Sequence, residues 1–218
     1  MGFSLETIVL WVVPVVFAIT LHEAAHGYVA KLFGDRTAEM LGRITLNPLK
    51  HIDPVGTLLV PGVLLALAWI NKSPPFVFGW AKPVPVNFGN LRNPKRDMIW
   101  VAAAGPGSNF VQALLWALVL VAASPGGAWP SDGLFEMADI GFKVNLLLMA
   151  LNLLPLPPLD GGRVLAGLLP GSAASTLSRI EPYGFFIIIA LLVTGLLDDL
   201  MRPVVRAAAS VIARIVGV

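Results

Sequence analysis

The stretch Ile8–Gly27, IVLWVVPVVFAITLHEAAHG, decides the fold class of this chain. Its first part is an apolar run, interrupted only by Thr20, of the kind that enters a lipid bilayer. Two imidazoles and a carboxylate follow within the same run, on His22, Glu23 and His26. Ionisable side chains at membrane depth cost a few kcal/mol each, so they mark a functional site by default. The stretch therefore predicts a membrane-embedded helix that carries chemistry.

The composition extends this prediction to the whole chain. Of the 218 residues, 56% are hydrophobic and 13% are charged, and the mean hydropathy is +0.80, whereas an average soluble domain is about 25% charged. We expect an all-α membrane protein, a polytopic helical bundle of about four to six transmembrane segments with a small interfacial β element. The chain has no cysteine, which leaves His, Asp and Glu as the strong metal ligands. A net charge of +2 is too small to indicate a nucleic-acid partner.

We interpret residues 1–218 as a single integral-membrane domain. Apolar runs and Pro/Gly-rich breaks divide it into a first span with HEAAH at 7–33, a re-entrant hairpin or span at 55–70, an interfacial strand or loop at 76–97, a span with GPGSN at 98–123, a span leading to LDGG at 140–159, a span at 183–197, and an amphipathic tail or last span at 200–218.

The basic residues predict the topology. Residues 124–139 contain three acidic side chains and no Lys or Arg, so we expect them outside the cell. The stretches 31–53 and 71–97 are both basic, and a simple span at 55–70 would place them on opposite faces. We therefore prefer a re-entrant hairpin that turns at Pro61–Gly62. This topology predicts a multi-pass protein of the plasma membrane with its active site toward the cytoplasm.

The HEAAH spacing is that of a zinc hydrolase. Residues four apart lie on one face of an α-helix, so His22 and His26 can reach one ion, while Glu23 points about 100° away, toward a bound water. The alternative is a set of polar contacts between packed helices. A bound metal would offset the cost of burying these groups in the membrane. We therefore predict His22 and His26 as metal ligands and Glu23 as a catalytic residue.

Catalytic zinc typically takes three protein ligands, and Asp160 is the best candidate for the third. The span before it enters from the same side as the first span and, at about 1.5 Å per residue, brings Asp160 to a depth similar to that of His22 and His26. The prolines of NLLPLPPLDGG unwind the backbone before it, and the glycines after it keep it accessible. The alternative is an aspartate in a Pro/Gly turn that caps the next helix.

Other buried polar residues have two interpretations. Asn109, in AAAGPGSNF, is predicted at a similar depth, where its amide could donate to a developing oxyanion or hold the nucleophilic water as a catalytic residue. Helix packing with Asn109 as interhelical glue is equally compatible with the sequence. Asn152 allows the same two interpretations. His51 is expected to cap a turn or to lie at the surface rather than to bind metal or shuttle protons.

The segment AKPVPVN predicts a strand with two unequal edges. Pro83 and Pro85 lack N–H groups and lie on the same edge, which cannot pair well. The opposite edge, with Lys82, Val84 and Val86, keeps its donors, and we expect it to accept an extended substrate by β-addition. The alternative is a strand whose prolines protect it against aggregation.

Three motifs together carry a family resemblance: HEAAH in a first span, GPGSN in a middle span and NLLPLPPLDGGR in a later one. In this combination the chain resembles the site-2 protease family of intramembrane zinc metalloproteases. GWAKPVPVN followed by LRNPKRDMIWVAAAGP is similar to a compact branch that has no PDZ or CBS domain. The resemblance covers residues 15–200 and implies that His22, His26 and Asp160 bind one Zn²⁺ ion and that Glu23 is the general base.

The resemblance implies a zinc-dependent intramembrane endopeptidase that hydrolyses peptide bonds in transmembrane segments of substrate proteins, as in regulated intramembrane proteolysis. The expected partners are the substrate, the lipid bilayer and a regulatory membrane protein. Two other functions are compatible with the motifs. A catalytically inactive scaffold or chaperone would not need Glu23, and a metal-ion transporter would space its ligands along a path rather than at one depth.

Overall fold

The computed structural model describes residues 5–70, 72, 79 and 81–217. In this part of the chain the backbone is mainly helical and forms no β-strand. The predicted helical bundle is therefore confirmed. Its helices are α1 (Leu5–Leu32), α2 (Thr37–Met40), α3 (Val60–Ile70), α4 (Pro94–Ala123), α5 (Asp132–Asn152), α6 (Asp160–Leu168), α7 (Gly171–Ser178), α8 (Gly184–Val193) and α9 (Leu196–Val216).

Three stretches are long and apolar enough to cross a membrane, namely Glu6–Leu32, Pro94–Ala123 and Gly171–Val193. The first corresponds to α1, which carries HEAAH, and the second to α4, which carries GPGSN. At about 1.5 Å per residue, both exceed the roughly 30 Å of a hydrocarbon core. The chain is accordingly a multi-pass membrane protein. Its HEAAH and GPGSN motifs lie on two different spans.

The core of the bundle is built around α4, which contacts α1, α5, α6 and α9. Small residues allow close approach of the backbones, as is usual between membrane helices. Ala113 and Ala117 of α4 are buried against large residues of α5 and α9, and Gly141 of α5 lies flat against the Trp116 ring, where a Cβ would collide with it. This packing brings α1, α4 and α5 into mutual contact.

The tail predicted at 200–218 as an amphipathic helix or a last span is α9, which begins at Leu196. Its apolar face packs into the bundle, where Ile212 is 1% exposed and Met201 and Ala208 are also buried. Its charged residues lie elsewhere on the helix, and Asp199 and Arg202 form an exposed ion pair at 3.3 Å. The helix therefore packs against α4 and α5.

The structure differs from the hairpin predicted at 55–70. Residues Pro54–Leu59 form a wide helical turn that continues directly into α3, so the chain does not reverse at Pro61–Gly62. The Asp53 carboxylate starts this helix by accepting the N–H groups of Val55 and Gly56. A wide turn is one way in which a helix accommodates a proline. Local helix geometry therefore replaces the turn that the Pro-Gly pair suggested.

The interfacial strand predicted within 76–97 is not formed in the described part of that stretch; residues 76–78 and 80 lie outside the described residues. Residues 81–87 have no regular secondary structure, and Pro83 and Pro85 favour an extended backbone in the residues before them. Their polar backbone groups bind side chains and a loop instead of a second strand. The Lys82 N–H donates to the His51 carbonyl at 2.9 Å, and the Lys82 and Pro83 carbonyls accept from the Arg43 guanidinium. We call residues 81–87 the extended segment.

The chain unwinds between α5 and α6, as the prolines before Asp160 predicted. Helix α5 begins at Asp132, earlier than the predicted span at 140–159, because the Ser131 hydroxyl accepts the Leu134 N–H. It ends at Asn152, and α6 begins at Asp160. The predicted span at 183–197 corresponds to α8, which is followed by Gly195 with φ 77°. This left-handed backbone, which favours glycine, separates α8 from α9.

Candidate metal centre

Helices α1 and α6 bring three potential metal ligands together. The Nε2 atoms of His22 and His26 each lie 3.2 Å from Oδ2 of Asp160, and the two Nε2 atoms lie 3.1 Å apart. All three side chains are buried, and their ligand atoms lie close enough to hold one ion. The i, i+4 spacing places the imidazoles on one face of α1, and the first turn of α6 supplies the carboxylate.

The hydrogen bonds that His22 and His26 make through Nδ1 leave a lone pair on each Nε2 atom, and these two atoms face each other. The Nδ1 atom of His26 lies 2.7 Å from the carbonyl oxygen of Val101, and the Nδ1 atom of His22 lies 2.6 Å from Oδ1 of Asn109. Because a carbonyl oxygen only accepts, both rings donate from Nδ1, and each neutral ring then carries its lone pair on Nε2.

The carboxylate adds a third acceptor to this cluster. Oδ2 of Asp160 is buried and has no hydrogen-bond partner among the described residues. Three acceptor atoms therefore converge with no donor between them, an arrangement that would be repulsive without a cation. Two imidazole nitrogens and one carboxylate oxygen are a usual ligand set for catalytic zinc. The residues present thus fit a zinc ion, and Asp160 does not act as the helix cap that the sequence also allowed.

Gly105 of α4 forms one wall of this centre. A Cβ built on Gly105 would collide with Nε2 of both His22 and His26. Glycine is therefore the residue that lets the α4 backbone approach both imidazoles. The sequence motif GPGSN contains this residue, but a role beside the ligands was not predicted, since it depends on how α4 packs against α1.

Glu23 lines the same small cavity, of about 150 Å³, as the three ligands. Its Oε2 accepts the backbone N–H of Val84 at 2.6 Å, which attaches the extended segment to α1. The N–H groups of Lys82 and Val84 are thus both occupied within the chain. The expected β-addition of substrate to this edge is not compatible with these bonds unless the segment first moves.

Asn109 lies behind the ligands and not in the cavity. It is 0% exposed, and its Nδ2 donates to the Ala18 carbonyl at 3.2 Å and to Oδ1 of Asn145 at 2.8 Å. Both amide hydrogens therefore have acceptors, and neither is available to an oxyanion. The geometry agrees with the alternative interpretation, in which Asn109 connects helices, and adds that its oxygen holds the His22 ring.

The other polar residues singled out in the sequence have different surroundings. Asn152 lines the metal-site cavity, and its Nδ2 donates to the Leu148 carbonyl at 3.0 Å. His51 is buried rather than at the surface, with Nε2 3.1 Å from the Thr45 carbonyl, and it does not line that cavity. Its backbone carbonyl accepts the Lys82 N–H of the extended segment.

A second cavity borders the metal site. It has a volume of about 490 Å³ and lies between the start of α4, α6 and α7. The two cavities share Phe88, Pro158 and Arg163 as walls, and the Arg163 guanidinium lies 5.5 Å from the centre of the Phe88 ring. We call this cavity the side chamber.

Asn145 is another residue near the metal centre that sequence reasoning missed. It is 0% exposed and contacts Asn109, whereas it appeared in the sequence only as one polar residue in an apolar stretch. Its signal was the isolated amide on a helix that otherwise packs through apolar residues. That signal does not distinguish an interhelical contact from a role at the metal site.

Comparisons with known proteins indicate which family the chain belongs to. Residues 121–195 match the profile of peptidase family M50. The chain is 40% identical over 200 residues to YwhC of Bacillus subtilis, which is named as a zinc metalloprotease. The alignment covers 90% of this chain and 85% of YwhC. It is 32% identical over 184 residues to Rip2 of Mycolicibacterium smegmatis, also named as a zinc metalloprotease, which covers 83% of this chain and 65% of Rip2.

A third relative is Rip2 of Mycobacterium tuberculosis, 30% identical over 201 residues, with 91% of this chain and 70% of that protein covered. No solved structure matches the chain. The identity to YwhC extends over nearly the whole chain, and both the relatives' names and the buried acceptor cluster indicate zinc as the cofactor. The chain therefore belongs to peptidase family M50, a family of metalloproteases.

Proposed function

We propose that this metalloprotease is an intramembrane endopeptidase of the site-2 type, which hydrolyses peptide bonds in transmembrane segments of substrate proteins. In this proposal His22, His26 and Asp160 hold one zinc ion and Glu23 is the general base. The observation that carries it is the donor-free cluster of three buried acceptors beside Glu23, on helices that include the membrane-length α1. A site at that position is more accessible to the peptide bonds of membrane-embedded segments than to those of soluble proteins.

The residues have distinct parts in the proposed hydrolysis. Zinc held by these three residues would supply Lewis acidity for a peptide carbonyl and for water. The Val84 N–H holds Oε2 of Glu23, which leaves Oε1 to take a proton from the attacking water and to return it to the leaving amine. The Val101 carbonyl and Asn109 orient the two imidazoles.

The convergence of the ligands also bears on the two other functions. A transporter requires successive sites along a path, whereas in the described part of the chain the three ligands form one cluster. A scaffold has no need of a carboxylate lining the metal cavity, and Glu23 lines it. Both observations favour hydrolysis over transit or a purely structural metal.

The proposed location is the plasma membrane, with the active site toward the cytoplasm. This orientation is supported by the basic loop 31–53 after α1 and by the stretch 124–139 after α4, which contains no Lys or Arg, since cytoplasmic loops carry an excess of Lys and Arg. A transmembrane protein is the proposed substrate, and a membrane protein that regulates access to the site is a proposed partner. A protease-protection assay on right-side-out vesicles, with a cleavage site inserted in residues 124–139, tests this topology.

The test of the proposed function compares the wild-type full chain with Glu23→Gln in detergent or liposomes. We expect both proteins to retain zinc, and Glu23→Gln to cleave a model transmembrane peptide about 10²- to 10⁴-fold more slowly, the range for a general acid-base group. Glu39→Gln, which changes a partly exposed carboxylate on α2, is the matched control and should cleave normally.

Three results would contradict the proposal. Equal cleavage by the wild type and Glu23→Gln would remove Glu23 from the mechanism. A wild-type protein that holds zinc but cleaves no transmembrane peptide would favour the scaffold, and zinc uptake into liposomes would favour the transporter.

A further inference from the structure

Two buried asparagines connect His22 to the backbone of α5. The Nδ1 atom of His22 lies 2.6 Å from Oδ1 of Asn109, and Nδ2 of Asn109 donates to Oδ1 of Asn145 at 2.8 Å. Nδ2 of Asn145 in turn donates to the Gly141 carbonyl at 2.9 Å. Both asparagines are 0% exposed, so water does not compete for these bonds.

The Gly141 carbonyl, at the end of this series of hydrogen bonds, fixes the direction of every bond in the series. The Gly141 carbonyl only accepts, so Asn145 must turn its N–H₂ toward it and its oxygen toward Asn109. Asn109 must then turn its own N–H₂ toward Asn145, and its oxygen toward His22. An oxygen facing Nδ1 requires the His22 ring to carry its hydrogen there, which leaves the Nε2 lone pair for the metal.

The two histidines differ in how this orientation is secured. His26 donates directly to a backbone carbonyl, that of Val101, at 2.7 Å, and the position of that acceptor is fixed by α4. His22 donates to an amide side chain whose two ends have nearly the same shape, so the amide can reverse. Without Asn145, the acceptor that remains for the Asn109 amide among the described residues is the Ala18 carbonyl, at the longer distance of 3.2 Å.

We propose that Asn145 is a positioning residue for the metal centre: by orienting the Asn109 amide, it holds the His22 ring in the form whose Nε2 lone pair faces the ion. Outer contacts of this kind are typically worth 10- to 100-fold in metal affinity. The proposal adds α5 to the helices that build the centre. It rests on the metal site of the proposed function but not on peptide cleavage.

The test replaces Asn145 by leucine, which has a similar size and no polar atoms. In full-length Asn145→Leu we expect zinc affinity, measured by competition with a chromogenic chelator, to fall at least about tenfold. In the metal-free protein, ¹⁵N shifts of the His22 ring should report a mixture of the two neutral forms, while those of His26 stay unchanged. A general packing defect would not change one ring and spare the other.

Two further variants complete the test. Gln112→Met removes a different buried amide, on α4, which approaches the Ala18 carbonyl at 3.5 Å and is not part of the hydrogen-bond series from His22 to Gly141. This variant should leave zinc affinity and both ring shifts unchanged. Asn145→Asp, in its protonated form, keeps an acceptor for Asn109 and a donor for Gly141, so its affinity should lie nearer the wild type than that of Asn145→Leu.

The inference is overturned if Asn145→Leu binds zinc as tightly as the wild type with an unchanged His22 ring, or if Gln112→Met shows the same loss. It is also overturned if Asn145→Asp and Asn145→Leu lose affinity equally. A wild-type protein that holds no zinc would overturn the proposed function instead, since the ring shifts are measured without metal and test Asn145 separately.

Discussion

Two buried aspartates, Asp160 and Asp35, have opposite hydrogen-bonding surroundings. Asp160 is 6% exposed, and its Oδ2 receives no hydrogen bond from the described residues. Asp35, just after α1, is 0% exposed, and its oxygens accept from Thr37, Asn87 and Asn90. A carboxylate surrounded by donors holds a fold together, whereas one surrounded by acceptors requires a cation. Burial alone therefore does not identify a functional acid; the donor count beside it does.

The largest effect expected from this difference is that of Asp160→Asn. Losing the carboxylate should weaken zinc binding more than about 100-fold, beyond the range for outer contacts, and abolish cleavage. The zinc-free variant should melt no lower than the zinc-free wild type, because its new N–H₂ can donate to an Nε2 lone pair of His22 or His26. Differential scanning fluorimetry with and without chelator measures both effects. A zinc-free variant that melts well below the wild type would show that Asp160 is structural.

The second effect concerns the wall of the metal centre. Gly105→Ala should lower zinc affinity at least about tenfold. The new Cβ would collide with both imidazoles and displace them from the positions in which they bind the ion. Gly107→Ala, two residues along α4, is the matched control, since a Cβ there meets nothing within 4 Å. Equal zinc affinity of the two variants, measured by chelator competition, would contradict the close contact between α4 and the ligands.

The structural aspartate predicts the reverse pattern. Asp35→Asn should lower the free energy of unfolding by about 2 kcal/mol, the size of a hydrogen bond to a charged group, because an amide N–H₂ cannot accept the bonds that Asp35 receives. Zinc affinity per folded molecule should stay normal. Glu39→Gln removes a partly exposed carboxylate that forms ion pairs with Lys31 and Arg36 at the surface, and little change in the free energy of unfolding is expected for this variant. Reversible unfolding in mixed micelles distinguishes the two.

The smallest effect is a pH dependence of stability. Burial opposes the charge of Asp35, but hydrogen bonds from Thr37, Asn87 and Asn90 outweigh it and hold the pKa of this carboxyl below its ordinary value. A lowered folded-state pKa contributes stability above the unfolded value of about 4 and loses it as the pH falls through the folded value. The melting temperature of the wild type should therefore fall more steeply than that of Asp35→Asn below about pH 4. Parallel curves would contradict this assignment.

The sequence predicted the parts of the centre that depend on local geometry. His22 and His26 follow from the i, i+4 spacing of one helix, and Asp160 follows from matching depths on two chain segments. The prolines before Asp160 correctly predicted an unwound connection, because proline restricts the backbone wherever it occurs. These inferences need no knowledge of which helices touch.

The rest depended on packing that periodicity does not encode. Asn145 and Gly105 are recognisable only when α4 and α5 are placed against α1, and Asn109 was given a catalytic role because its partners were not known. The alternating prolines and valines of the extended segment predicted a strand. In the structure, its N–H donors instead bind Glu23 and the loop at His51. Long-range contacts therefore decided each case that the sequence left open.

The side chamber has a consequence for inhibitor chemistry. Because it shares Phe88, Pro158 and Arg163 with the metal-site cavity, a compound could place a chelating head on the ion and an apolar arm in the chamber. The head alone would bind any exposed catalytic metal, whereas the arm must fit the walls supplied by α4, α6 and α7. Selectivity among related enzymes would then come from the chamber and potency from the ion.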